Sequence, residues 1–273
     1  MRDHLIQIVM AGPLNERRHR TREYLQHYLL RLMHETGLTA RLSFVGGTAL
    51  RMLFGLPRFS EDLDFSLLEG TEPLRASLGA DLLGLVKPLE AAGYVVTTRI
   101  KEAGTVQSVM YRFPGVLSDV GATPDPRVVL AIKVEVDTRP PAGAVTMNAL
   151  VPHLFPAAVV HSDLPSLFAG KVHALLARPW VKGRDWYDLF WFLTEKRGVA
   201  PNPVLLRNAL GQTGHEATLA GDWRAAVRSR LGQVDWKKVR ADVEPLLERP
   251  SDMEFFTSGR IRELLSKESD GPP

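Results

Sequence analysis

Apolar positions follow two different periods along this chain, and the place where one gives way to the other divides it. Over residues 16–35 they fall at Tyr24, Leu25, Tyr28, Leu29, Leu32 and Met33, the spacing of one helix face. Leu42-Ser43-Phe44-Val45 then reads as a short strand closed by Gly46-Gly47, and a helix is predicted over 48–54, stopped by Gly55 and Pro57. Asp62-Leu63-Asp64-Phe65-Ser66-Leu67 alternates polar and apolar, as a half-buried strand does. Residues 74–92 pattern as a helix ending at Gly93, and strands are predicted at 94–100, 106–113 and 128–137.

The Pro/Gly-rich run Arg139-Pro140-Pro141-Ala142-Gly143 interrupts this pattern. Beyond about residue 156 helical spacing dominates, at 164–178, at 185–196 and in several segments from 203 to 265, and 267–273 is expected to fray. The expected fold class is α+β: a mixed-sheet N-terminal half, 1–155, followed by a helical C-terminal half, 156–273.

Composition changes this picture little. The 273 residues are 45% apolar and 24% charged, as in ordinary soluble globular proteins. No apolar run approaches the roughly 20 residues that span a bilayer, and the N-terminus lacks the pattern of a signal peptide. No membrane association is therefore expected. The absence of cysteine removes disulfides, thiolate catalysis and cysteine-bound zinc, and it suits a cytoplasmic protein. Net charge is +3, with basic clusters at Arg17, Arg18, Arg20 and Arg22 and again at Arg224, Arg228, Arg230, Lys237, Lys238 and Arg240. Such clusters permit a nucleic-acid partner, but they serve equally well as solvated helix faces.

Candidate chemistry begins with Asp62 and Asp64. Two residues apart on a strand, their carboxylates project from one face, roughly 6–7 Å apart at Cα. Facing carboxylates repel and favour a cation, and Mg²⁺ is commonly held by one or two carboxylates plus substrate phosphates. Gly46 and Gly47 let a ligand approach the backbone closely, and the N–H groups of the helix that follows attract anions. Thr48 has two available roles, phosphate contact or helix cap; Ser60 likewise could meet a triphosphate or cap a turn. Lys171 and Arg178 lie two helical turns apart and share a face, as do Asp185 and Asp188, three apart. A lysine–aspartate pair of this kind either serves an active site or joins two packed helices. The eight histidines show no paired metal spacing, and neither a P-loop nor a G-x-S-x-G elbow occurs. Trp180, Trp186, Trp191 and Phe192 read as packing residues.

The run Gly46 to Phe65, GGTALRMLFGLPRFSEDLDF, resembles motif I of the AbiEii/AbiGii-type (MenT-like) nucleotidyltransferases of the DNA polymerase β superfamily. Lys171-Val-His-Ala-Leu-Leu-Ala-Arg178 resembles that family's K-x-x-A-L-x-x-R helix, and Arg184-Asp185-Trp-Tyr-Asp188-Leu its R-D-x-x-D-L helix. The resemblance implies a polymerase β-like nucleotidyltransferase fold and transfer of a nucleoside monophosphate from a nucleoside triphosphate. It implies Asp62 and Asp64 as catalytic metal ligands for Mg²⁺ (or Mn²⁺), with Lys171 and Asp188 as catalytic members of the helical half. Gly46, Gly47, Thr48, Ser60, Arg178, Arg184 and Asp185 are the expected nucleotide and phosphate contacts. Glu135, central in Lys133-Val134-Glu135-Val136-Asp137, occupies the place of the family's third strand acid and is the expected further metal ligand. The superfamily's usual residue there is Asp, which leaves the number of metals open, and Asp137 reads as a turn former. A bacterial toxin is implied, paired with an AbiEi-type antitoxin encoded nearby. An RNA acceptor such as the tRNA 3′ end and a block of translation are implied too. A protein or small-molecule acceptor, or a non-catalytic nucleotide-binding regulator, are the alternatives.

Overall fold

Seven strands form one mixed sheet in the computed structural model, which describes residues 1–266. They are β1 (Leu42–Val45), β2 (Leu63–Leu67), β3 (Thr97–Lys101), β4 (Val106–Phe113), β5 (Leu130–Asp137), β6 (Thr146–Val151) and β7 (Ala157–Ser162). Their order across the sheet is β3-β4-β5-β2-β1-β7-β6. β2 runs antiparallel to β1 and parallel to β5, and β7 runs parallel to β1. The helices are α1 (Arg2–Met10), α2 (Arg17–Glu35), α3 (Gly46–Phe54), α4 (Leu74–Leu83), α5 (Val86–Ala91), α6 (Val116–Asp119), α7 (Leu164–Ala177), α8 (Gly183–Glu195), α9 (Pro203–Gln212), α10 (Trp223–Leu231), α11 (Trp236–Val243), α12 (Asp252–Phe255) and α13 (Ser258–Ser266). Among the described residues no helix is long and apolar enough to cross a membrane. The expected fraying of 267–273 lies outside those residues.

The chain forms two compact units. Unit 1 comprises Met1–Leu53, Phe59–Pro140 and Met147–His161 and holds the sheet. Alternation explains its central strands: on β2 and β5 every second side chain is buried, so Leu63, Phe65, Leu67, Leu130, Ile132, Val134 and Val136 form core while Asp64 and Glu135 face the other way. Phe44 and Phe65 are register partners on β1 and β2 and stack at 5.1 Å. Unit 2 comprises Phe54–Arg58, Pro141–Thr146 and Ser162–Pro273, with α7 to α13. Asp163, Asn202, Asp222 and Asp235 cap α7, α9, α10 and α11 by accepting their free N–H groups. Phe168 stacks on Phe192 at 4.1 Å, joining α7 to α8.

Several element boundaries differ from the sequence expectation. The β pattern does not end near residue 137: β6 and β7 extend the sheet, and β7 lies beyond residue 155. β6 is exposed at most positions, so it carries no apolar alternation to detect. The helix expected over 74–92 breaks into α4 and α5 around Gly84 and Leu85. A further correction touches the chemistry. α3 begins at Gly46, directly after β1, so the glycines occupy its first turn instead of a separate turn. Asp62 stands just before β2, whose first residue is Leu63.

Candidate active site

Asp64 is the fixed point of the site on unit 1. The pairing register sets it opposite Val45 on β1 and beside Glu135 on β5, so the two acids lie side by side on one face of neighbouring parallel strands. Gly46 follows Val45 with φ +79°, a backbone conformation that side chains rarely tolerate. A Cβ at residue 46 would fall 2.9 Å from the Asp64 Cβ and closer still to its carboxylate. Glycine is therefore required here for two separate reasons, and one of them is the approach of Asp64 itself.

The loop that delivers Asp62 is held from α2. Gln26 donates to the Ser60 carbonyl at 3.3 Å, Arg22 pairs with Glu61 at 3.3 Å, and His19 stacks on Phe59 at 4.9 Å. Arg51 pairs with Glu23 and lies over the Phe59 ring at 4.4 Å. Thr48 is fully buried and donates its hydroxyl hydrogen to the Asp62 carbonyl. That hydrogen bond positions the Asp62 backbone, and because α3 begins at Gly46, Thr48 lies in its first turn and not at its cap. Ser60 and Asp62 remain partly exposed. On β5, Asp137 accepts from the Arg139 N–H at 2.9 Å, a turn-forming contact.

Lys133 was only a face-mate of Glu135 in the sequence. In the structure its ammonium lies 3.1 Å from the Glu135 carboxylate. Burial alone would pull that ammonium down. The Glu135 hydrogen bond and the fields of Glu135, Asp62 and Asp64 outweigh burial and raise it. A cation is thus favoured where these three acids face, and Lys133 stands in for one. Among the described residues, however, no three acidic or histidine side chains are gathered as metal ligands. Lys133 pairs with Glu135, and Asp62, Asp64 and Glu135 carry the oxygen donors that suit a hard cation completed by phosphate oxygens.

Unit 2 carries a different arrangement. Asp188 on α8 is fully buried, and Arg58, itself 2% exposed, grips both of its oxygens at 2.6 Å. Lys171 on α7 reaches the same carboxylate at 2.7 Å and Asp185 at 3.3 Å, and Arg178 also pairs with Asp185. Burial would raise the Asp188 carboxyl, but the adjoining Arg58 and Lys171 charges hold it below the ordinary carboxylate range. The Arg58 guanidinium is likewise lowered by burial and raised more strongly by Asp188. Both Asp188 oxygens are thus engaged by cations. The contact at 2.7 Å fixes the Lys171 ammonium beside Asp188. Asp185, an expected nucleotide contact, is buried and pairs with Lys171 and Arg178. Arg184 sits partly exposed in the first turn of α8, its backbone N–H donating to Asp242 at 3.3 Å.

Arg58 was missed in the sequence, although it lies inside the motif. The available signal was charge balance: α8 places two acids among Trp186, Tyr187, Leu189 and Phe192, and buried carboxylates require cations. Backbone contacts from the other side hold the segment, with Arg58 bridging Leu247 and Pro57 accepting from the Glu248 N–H at 3.4 Å.

Residues 27–258 match the protein family described as "Nucleotidyl transferase AbiEii toxin, Type IV TA system". The chain belongs to the AbiEii nucleotidyltransferase toxin family. It is accordingly a nucleotidyltransferase of a toxin–antitoxin system, a class that acts on nucleoside triphosphates and has an antitoxin partner. A comparison with curated proteins found no match. Among solved structures, the chain is similar to MenT4, a nucleotidyltransferase toxin from Mycobacterium tuberculosis, with 19% identity, a TM-score of 0.57, and coverage of 97% of this chain and 88% of that one. It is also similar to JHP933 from Helicobacter pylori, with 20% identity, a TM-score of 0.54, and coverage of 89% and 90%. At these identities the likeness concerns the fold, an α+β nucleotidyltransferase architecture.

Proposed function

We propose that the protein is a Mg²⁺-dependent enzyme that transfers a nucleoside monophosphate from a nucleoside triphosphate to an RNA hydroxyl, such as the tRNA 3′ end, and so blocks translation. The observation that carries this reading is the placement of Asp64 beside Glu135 and against Gly46 at the start of α3. Asp62 and Asp64 would hold the cation, which when bound supplies Lewis-acid stabilisation of the phosphoryl oxygens. The first-turn N–H groups at Gly46 and Gly47 and the Ser60 hydroxyl bind phosphate. Lys171, Arg178 and Arg184 offset charge that develops on the transferred group. The acceptor oxygen bonds to the α-phosphorus, the bond to the bridging oxygen breaks, and pyrophosphate leaves. The acceptor hydroxyl gives up its proton to solvent water as the bond forms, while Asp188 orients Lys171. An AbiEi-type regulator encoded nearby is the proposed antitoxin.

Incubation with each α-labelled nucleoside triphosphate, Mg²⁺ and total cell RNA tests the reading. Label in RNA, lost in Asp64→Asn, is the expected result. Label only in protein or a small molecule replaces the acceptor, and no label with any acceptor overturns the proposal.

A further inference from the structure

The link between α7 and α8 presents an aromatic side chain that packing does not explain. Trp180 is 65% exposed, whereas Trp186, Trp191 and Phe192, read alongside it as packing residues, are buried. Leaving an indole in water forgoes one of the largest apolar contributions a side chain can make. Pro179 precedes it and stiffens the backbone there. Trp180 lines a small depression with Val181, Lys182, Asp185, Trp186 and Arg230.

Cations crowd this edge. Lys182 is partly buried, and its ammonium is pulled down first by burial and then by Arg184, Arg178 and Lys171, with only Asp185 opposing them. Arg230 donates to the Arg178 carbonyl at 3.0 Å, which draws one more guanidinium onto the link. Asp185 is already shared by Lys171 and Arg178, and Asp242 receives the Arg184 backbone N–H. Lys171, Arg178, Lys182, Arg184 and Arg230 thus gather around Asp185, Asp188 and Asp242 beside an exposed flat ring. The ligand such a surface suits is both anionic and planar.

We propose that this Trp180 edge is a stacking platform for the single-stranded end of a nucleic acid, with one base on the indole and neighbouring phosphates on Lys182 and Arg230. The exposure of the Trp180 ring favours a strand over a free nucleotide. Small-molecule sites enclose most of their ligand, whereas strand-binding surfaces combine an exposed aromatic ring with a charged track. Arg228, Lys237 and Lys238 are exposed on α10 and α11, the helices that pack with α7 and α8, and extend the supply of positive charge. The inference deepens the proposed function and rests on it for the ligand's role as acceptor.

Fluorescence anisotropy of an end-labelled single-stranded oligoribonucleotide, read with neither triphosphate nor divalent ion, tests the platform separately from catalysis. Trp180→Ala should weaken binding roughly 10-fold or more while Trp180→Phe stays close to the parent. Lys182→Gln should lower the salt dependence of log K by about 0.7, the loss of one single-strand phosphate contact, with an unchanged unfolding midpoint. Equal binding by Trp180→Ala and the parent overturns the proposal, and so does a duplex, or free ATP, bound as tightly as the single strand. If no acceptor is labelled yet binding still depends on Trp180, the platform stands and the RNA-acceptor reading falls. If RNA is labelled while binding ignores Trp180, the reverse holds.

Discussion

Acidic residues in the two units solve opposite problems. On unit 1, Asp62, Asp64 and Glu135 are partly exposed, mutually repulsive and balanced by a lysine that is itself 31% exposed. On unit 2, Asp185 and Asp188 are buried and saturated by Arg58, Lys171 and Arg178. The first set is arranged to exchange partners, since an exposed ion pair contributes little and yields readily. The second is arranged to hold still: removing one member of a buried, fully paired set strands the others in a dry interior. The first set can exchange its cation, whereas the second keeps its own.

This contrast can be broken in order of expected effect. Asp64→Asn should reduce nucleotide transfer about 1000-fold, equivalent to about 4 kcal/mol of barrier, while the thermal unfolding midpoint barely moves. A large drop in that midpoint would mean that the unit 1 acids are structural after all. Asp188→Ala should do the reverse and destabilise by about 3–5 kcal/mol, because it leaves Arg58 and Lys171 unpaired. Denaturant unfolding measures that loss, and a change below 1 kcal/mol would contradict the buried network. The Asp188 contribution also has a pH signature. Its carboxyl is depressed in the native state, so the stabilisation is complete above the ordinary aspartate value of about 3.9 and is lost as pH falls below it.

Gly46→Ala is expected to cost about 2–3 kcal/mol, combining the left-handed backbone with the clash against Asp64. It should also reduce activity, because Asp64 must move. An active, stable Gly46→Ala protein would remove the reason given for the glycine.

His27 offers a smaller test away from both acidic sets. Its Nδ1 has no hydrogen-bond partner among the described residues, and burial pushes its pKa down to about 4. The unfolded chain therefore binds a proton that the native state refuses between pH 6.5 and about 4. Stability should fall by about 2–3 kcal/mol as pH drops through that window, and His27→Gln should flatten the profile. Lys133→Gln is expected to have the least effect on stability, under 1 kcal/mol, since the pair it breaks is part-exposed. A loss above 2 kcal/mol would show that Lys133 holds the fold.

Much of this was legible in one dimension because its cause is local. Period-two alternation marked β2, β4 and β5, helical spacing marked α2, α7 and α8, and the motif carried Gly46, Asp62 and Asp64 together. β6 was not legible, because an exposed edge strand lacks the alternation that burial imposes, and β7 is a short, largely apolar run that periodicity alone does not separate from a helix. Trp180 was misread as packing because composition and spacing cannot say whether a tryptophan in a loop is covered. Arg58 was invisible for a related reason: its partner Asp188 lies 130 residues away.

The amino-acid sequence by itself determined the family, the α+β class and the residue types available for transferring a nucleotide, since these depend on short-range periods and a compact motif. Tertiary structure alone decided their duties. It turned Thr48 toward the Asp62 backbone, gave Lys133 to Glu135, and committed Asp188 and Asp185 to cations in the interior. The physical reason is that a charged or hydroxyl side chain is defined by the partner burial leaves it, and those partners meet only when distant segments fold together.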